Sequence, residues 1–412
     1  MAKSKDLIKL TEKYGAHNYH PLPVVIAKAQ GIWVWDVEGR KYLDMLSAYS
    51  AVNQGHRHPA IIRAMKQQSD KLTLTSRAFH NDRLGPFLAK LCQYAQMEVA
   101  LPMNTGAEAV ETAIKLCRKW GYEKKGLEKD KAEIIVCAEN FHGRTSTIVS
   151  FSTDPDAYTG YGPAMPGFKV IPFNDAEALE KAITPNTAGF MVEPIQGEAG
   201  VKMPARGYLT KCKDICDRNN VLFMLDEVQT GFCRTGKPFC WQHEGAKPDV
   251  LIVGKALGGG VYPVSAVITC WEVMDVIRPG QHGSTFGGNP LACAIGTAAL
   301  DVLRRERLDQ KAKTLGDYFR KQLAKIKTDK IKEIRGLGLL TGMELKKEAG
   351  KARPYCMAMM RMGILAKDTH EQTIRFAPPL VITKRDVDWA VKVIAKVLEA
   401  VPTVPSQEMH EG

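Results

Sequence analysis

Two apolar runs of the chain end on side chains that could do chemistry. Val221 to Leu225 is followed by Asp226 and Glu227, then Val228, Gln229, Thr230 and Gly231. Val250 to Val253 is followed by Gly254 and Lys255, with Gly258, Gly259 and Gly260 close behind. An acidic residue closing a buried strand stands at the carboxyl edge of a sheet, where open α/β folds bind ligands. Capping the next element is the plainer role for Asp226. A lysine at that edge can have its pKa lowered by burial and become an imine-forming nucleophile. An exposed lysine is the default for a lone Gly-Lys pair, but the glycines around Lys255 indicate close approach of backbone to a ligand.

Three further segments extend this set. Asn104-Thr105-Gly106-Ala107-Glu108 opens a helical pattern. Thr105 can cap it, and Gly106 and Ala107 leave N–H groups at its positive end, an anion site in principle. Any capped helix shares that pattern. Gln281 to Pro290 (QHGSTFGGNP) is a glycine-dense loop whose hydroxyls, Thr285 among them, suit a phosphate or a flexible connector. Glu193 to Glu198 (EPIQGE) places carboxylates after the run Gly189 to Val192, or forms a solvated turn. Nucleotide fingerprints are absent: Gly254 to Gly260 lacks the GK[ST] ending, and Gly336 to Gly342 fails the GxGxxG spacing. A lysine, a carboxylate, a phosphate-ready helix start and a Gly/Thr loop are the parts that pyridoxal 5'-phosphate requires. The lysine forms the imine, the carboxylate keeps the ring nitrogen protonated, and the protonated ring draws electrons from a carbon losing its proton.

The elements that must hold these groups follow from the apolar pattern. Runs at 133–138, 168–171, 189–192, 221–225, 250–253 and 264–268 are continuous, as in strands buried on both faces. Helical patterns at 106–120, 175–183 and 207–219 alternate with them, which predicts an α/β fold with a mostly parallel sheet and helices on both faces. Beyond Asn289 the texture changes to long helices at 290–303 and 308–326, short strands near 338–345, 363–366 and 373–376, and a final helix at 384–398. Ile32 to Asp36 and Lys41 to Asp44 read as a hairpin. We therefore expect a large domain at 50–290 and a smaller α+β domain at 291–412 that the N-terminal segment 1–49 joins. The tail Val401 to Gly412 is expected to be mobile.

Composition narrows the function classes. The chain has 412 residues, 57 Lys plus Arg against 45 Asp plus Glu, and a formal net charge of +12. A hydrophobic share of 45% and a charged share of 25% exclude disorder, collagen and coiled coil. No run approaches the roughly 20 apolar residues of a membrane span. The Lys-rich N-terminus carries Asp6 and Glu12 and no arginine, unlike a transit peptide. A cytoplasmic location is expected, or the mitochondrial matrix only if a presequence has been removed. The ten cysteines form no CxxC pair and read as reduced, buried thiols. No metal is expected; His56 and His58 resemble a metal pair only superficially. A nucleic-acid or other anion binder would concentrate its basic residues with interleaved aromatics, and the densest stretch, Lys124 to Lys131, already contains acids.

With these residues in place, the sequence resembles the class III (subgroup II) aminotransferases of fold type I, over nearly the whole chain from Gly15 to Leu380. The family signals are Leu225 to Gly231, Gly254 to Gly260 and His282 to Pro290. Ser47 to His56 (SAYSAVNQGH), Met103 to Gly106 and Asn140 to Arg144 (NFHGR) are similar to its ornithine-using branch. The resemblance implies a homodimer or higher homo-oligomer with pyridoxal 5'-phosphate. It makes Lys255 the imine lysine and proton shuttle, Asp226 the partner of the ring nitrogen, Gln229 that of the ring hydroxyl, and Phe141 the stacking ring. Gly106 and Ala107 would hold the phosphate, with Thr285 reaching that of the neighbouring subunit. Arg144 and Arg375 would take substrate carboxylates, Tyr19 would lie near the α-amine, Glu198 would neutralise Arg375, and Tyr49 would narrow the site. The activity implied moves the δ-amino group of L-ornithine to 2-oxoglutarate, giving glutamate 5-semialdehyde and L-glutamate in a ping-pong reaction. The alternative is another ω-aminotransferase, acting on acetylornithine or 4-aminobutyrate. One departure stands out: many relatives carry Trp where this chain has His142.

Overall fold

The computed structural model describes residues 3–402, so most of the tail expected to be mobile lies outside the described residues. Seven strands form the central sheet, in the order Val99–Met103, Ser265–Thr269, Val250–Val253, Leu222–Asp226, Thr187–Val192, Glu133–Cys137 and Phe168–Ile171. The last five pair in parallel. Ser265–Thr269 runs antiparallel to both of its neighbours, as the exception in a mostly parallel sheet. Its faces explain the unbroken apolar runs. Ile135, Phe190, Phe223 and Leu251 point into one apolar cluster, and Ile134, Met191, Met224 and Ile252 into the other. Helices cover both sides, so side chains of both parities are buried.

Val99–Met103 escaped the sequence reading because Pro102 interrupts it. The strand lies at the sheet edge, the position where a missing N–H is tolerated. The helix Leu84–Ala95 and the strands Ile26–Gln30 and Ile331–Leu337 were likewise not anticipated. The expected hairpin forms between Trp33–Asp36 and Lys41–Asp44. Ile364–Leu365 then adds in parallel to Lys41–Asp44, so residues from both chain ends share one sheet. A third, antiparallel sheet runs Ile331–Leu337, Leu340–Leu345, Thr373–Phe376, Lys367–Thr369.

All ten cysteines are free, and nine are buried. His56 pairs with Asp44 at 2.7 Å and His58 with Glu306 at 2.8 Å, so the two histidines serve separate carboxylates. Among the described residues no helix is long and apolar enough to cross a membrane, and no group of three or more His, Cys, Asp or Glu is placed to hold a metal ion.

Candidate active site

The parallel strands deliver their reactive groups to one edge. Asp226 ends Leu222–Asp226, and Lys255 follows Val250–Val253 in a short turn. Glu193 follows Thr187–Val192, and Phe141 comes shortly after Glu133–Cys137. Of the roles considered for Asp226, capping of the following turn is realised. One carboxylate oxygen accepts the Val228 N–H at 3.0 Å, and the other lies 2.7 Å from His142 Nδ1. A carboxylate at that distance places the His142 proton on Nδ1. Burial alone would lower the His142 pKa, but the Asp226 hydrogen bond and charge outweigh it and the net shift is upward. Glu193 accepts the Phe141 N–H at 2.9 Å, and burial pushes its carboxyl up to about 8, with His142 opposing. Packing around the Lys255 amine disfavours its charged form and lowers its pKa, against the pull of Glu198.

The helix Gly106–Glu123 starts beside this cluster; a Cβ built on Gly254 would sit 3.7 Å from the Gly106 Cα. Thr105 and Glu108 form a reciprocal capping box that consumes the Glu108 N–H. The N–H groups of Gly106 and Ala107 have no partner among the described residues. Positive dipole and open donors make an anion seat here. The loop before Pro290 is clamped onto the same helix. Asn104 donates to the Ser284 hydroxyl at 2.9 Å, and His282 meets Thr112 and Lys115 at 2.9 Å each. Thr285 is exposed on that loop and is not joined to the Lys255 cluster.

A second cluster approaches from the small antiparallel sheet. Arg375, on Thr373–Phe376, is 1% exposed; its Nη1 meets Glu198 at 2.5 Å and the Gly197 carbonyl at 3.3 Å. Its Nε and Nη2 are buried without partners. Burial would raise the Glu198 pKa, but Arg375 and Lys255 hold it below the usual glutamate value. Gln229 donates to Glu198 at 3.1 Å, while its own oxygen is buried and unpartnered. A Cβ at position 197 would lie 1.8 Å from that oxygen, so any side chain there would displace the Gln229 amide. The Arg375 guanidinium lies 5.1 Å from the centre of the Tyr49 ring.

Tyr49 stands on unusual backbone. Ser47, Ala48, Tyr49 and Ser50 have φ of 44°, 47°, 59° and 71°, a left-handed turn without glycine. Each such residue costs roughly 1–2 kcal/mol relative to the right-handed form. Asp44 offsets part of this by accepting the Leu46 and Ser47 N–H groups at 2.8 Å each. By contrast, Arg144 is exposed, with its guanidinium 5.6 Å from the Phe141 ring centre, and Phe141 is itself 38% exposed. Tyr19 lies apart, in an open cleft of about 1050 Å³ beside the N-terminal helix Ser4–Tyr14. The structure thus brings together Lys255, Asp226, Gln229, Glu198, Arg375 and Tyr49, with Gly106, Ala107 and Phe141 at the rim. Within one chain it leaves Tyr19, Arg144 and Thr285 on exposed surface.

Sequence reasoning missed His142 as the partner of Asp226. The signal was present, since a histidine beside a strand-end aromatic can reach a carboxylate, but only the strand order brings residues 142 and 226 together. Glu193 was noted as a strand-end acid and not as a buried one. The donor set fits pyridoxal 5'-phosphate chemically. It offers an amine with lowered pKa, a histidine-held carboxylate, open N–H groups for a phosphate, and a buried Gln229 oxygen lacking a donor, which a ring hydroxyl would supply.

Comparison with known proteins agrees with this chemistry. The family described as aminotransferase class-III matches residues 14–398. The ornithine aminotransferase of Brevibacillus brevis is 58% identical, over 97% of this chain and 99% of that protein. A crystal structure of the ornithine aminotransferase of Toxoplasma gondii superposes with a TM-score of 0.96 at 45% identity, covering 97% of this chain and 96% of that one. The acetylornithine aminotransferase of Elizabethkingia anophelis gives 0.89 at 50% identity, covering 97% and 100%. On its sequence, its sheet order and the groups at its strand ends, the chain belongs to the class III aminotransferases, enzymes of fold type I that use pyridoxal 5'-phosphate.

Proposed function

We propose that the protein transfers the δ-amino group of L-ornithine to 2-oxoglutarate, releasing glutamate 5-semialdehyde and L-glutamate. Pyridoxal 5'-phosphate supplies the electron sink for the carbon that loses its proton. Lys255, whose burial lowers its pKa, accepts and returns that proton. Asp226, pinned by His142, holds a proton on the ring nitrogen. Gln229 would hold the ring hydroxyl, Gly106 and Ala107 would hold the phosphate, and Phe141 would pack against the ring. Thr285 serves the phosphate of a second copy, in a homodimer or larger homo-oligomer. We assign residues 50–290 to the large domain, and 1–49 with 291–412 to the small one.

One observation carries the substrate reading: the buried Arg375 is paired with Glu198 yet keeps two donors open. With Arg375 neutralised, a substrate bearing one carboxylate anchors it at Arg144, with its α-amine near Tyr19. That leaves the terminal amine of ornithine at the reacting end. Glutamate and 2-oxoglutarate have two carboxylates, and the second displaces Glu198 to form a bidentate pair with Arg375. Tyr49 narrows the space beside Arg375 and disfavours entry of the α-amine.

The 50% identity to an acetylornithine aminotransferase makes that substrate the competitor to exclude. Initial rates with ornithine, acetylornithine and 4-aminobutyrate, each with 2-oxoglutarate, separate the readings. Ornithine should be fastest, and faster turnover of either rival sinks the assignment. Borohydride treatment of the holoenzyme followed by peptide mapping should place the tethered cofactor on Lys255.

A further inference from the structure

The Ser47–Ser50 turn cannot hold its left-handed form by local preference, and the structure places one buried cation behind it. Arg234 has 0% exposure and forms no ion pair among the described residues. Its Nη2 donates to the Ser47 hydroxyl at 3.0 Å and to the Asn53 side-chain oxygen at 2.6 Å. Its Nη1 donates to the carbonyls of Leu339 at 2.8 Å and Pro378 at 2.7 Å. The Ser47 hydroxyl passes this on by donating to the Ala377 carbonyl at 2.5 Å, two residues from Arg375. Asn53 returns to the Arg234 segment by donating to the Phe232 carbonyl at 2.8 Å. That segment follows Gln229 and is itself left-handed at Phe232 and Cys233.

We propose that Arg234 is a specificity-positioning residue, which fixes the Ser47–Ser50 turn to the Arg375 strand so that the Tyr49 ring lies over the Arg375 guanidinium. The inference rests on the reading of Tyr49 as the group that narrows the substrate site. Arg234 is fully buried away from the site and acts through Ser47, Asn53 and the backbone at Ala377 and Pro378, just after Arg375. The planar fork explains the residue type. Four acceptors from three separate segments are served by two nitrogens in fixed geometry, which the single ammonium of a lysine cannot reproduce. A merely structural arginine would lower stability when replaced and leave substrate preference where it was. A positioning arginine shifts the preference of protein that remains folded.

The test compares Ser47→Ala, Arg234→Lys and Tyr49→Ile as holoenzymes, reading the ratio of kcat/KM for 4-aminobutyrate to that for ornithine alongside the melting temperature. Ser47→Ala deletes one hydroxyl and keeps the test decidable if Arg234→Lys does not accumulate as folded protein. Ser47→Ala should raise the ratio roughly fivefold, the change that one net hydrogen bond supports. Arg234→Lys should raise it further, in the direction of Tyr49→Ile. If Tyr49→Ile raises the ratio while Ser47→Ala and any folded Arg234→Lys leave it unchanged, the role of Arg234 is overturned and the gate stands. If Tyr49→Ile leaves it unchanged, the gate falls and the specificity role of Arg234 falls with it.

Discussion

The two ends of the site are built differently. Around Asp226 the polar groups come from the edge of one parallel sheet, and both carboxylate oxygens are engaged, by His142 and by the Val228 N–H. Around Arg375 the groups come from different sheets and a left-handed turn, and two guanidinium nitrogens have no partner. A fixed cofactor asks for the first arrangement, in which the carboxylate that meets its ring nitrogen is already held in place by its neighbours. Two substrates taken in turn ask for the second, in which an ion pair can open and donors wait for a carboxylate. The contrast between a fully engaged carboxylate and an arginine with open donors is what the proposed exchange of two substrates at one site requires.

Four experiments can break or sharpen that contrast. The largest effect belongs to the Asp226 end: Lys255→Ala should slow both half-reactions by roughly 10²–10⁴-fold, the range of a lost general acid–base group. Single-turnover spectra of each half-reaction check it, and normal rates in either would remove Lys255 from the chemistry.

Glu193 reports on the rigidity of that same end. Its folded pKa of about 8 lies above the ordinary glutamate value, so the native protein keeps a proton that the unfolded chain releases. Its contribution is fully present at pH 4 and is lost as pH rises through 8. Glu193→Gln lacks that loss and should gain roughly 2–4 kcal/mol over wild type between pH 5 and 8.5. Denaturant unfolding of both holoenzymes at the two pH values measures it, and an unchanged difference would mean that the carboxyl is ionised in the fold.

At the exchangeable end, Glu198→Gln should remove the neutralising charge from Arg375. The preference for ornithine over glutamate, as a ratio of half-reaction kcat/KM values, should fall by roughly 10- to 100-fold, matching a lost charged hydrogen bond. A preference that holds would break the idea that this pair decides between substrates. The smallest effect is expected from Tyr49→Ile, a roughly tenfold rise in 4-aminobutyrate use relative to ornithine. The same initial rates decide whether the ring narrows the site.

Much of the Asp226 end was legible in the sequence. Asp226 and Lys255 sit directly after unbroken apolar runs, and such runs mark strands whose ends share an edge. The Thr105 cap was equally readable, because capping depends on residues three apart in the chain. Val99–Met103 was hidden by Pro102, whose tolerance depends on the strand lying at an edge. The exchangeable end was legible only through likeness to a family. Nothing local in Ser47 to Ser50 calls for four left-handed residues, and nothing near Arg234 announces a buried guanidinium.

By itself the sequence determined which groups are available and which strand each one follows, since periodicity, capping and turn chemistry act over a few residues. The tertiary structure decided which of them meet. It set His142 against Asp226, Glu198 against Arg375 and Arg234 against Ser47, pairs separated by 84, 177 and 187 residues. Those meetings depend on strand order and on packing between sheets, where a shift of one residue or one strand would replace every partner while leaving the local pattern intact.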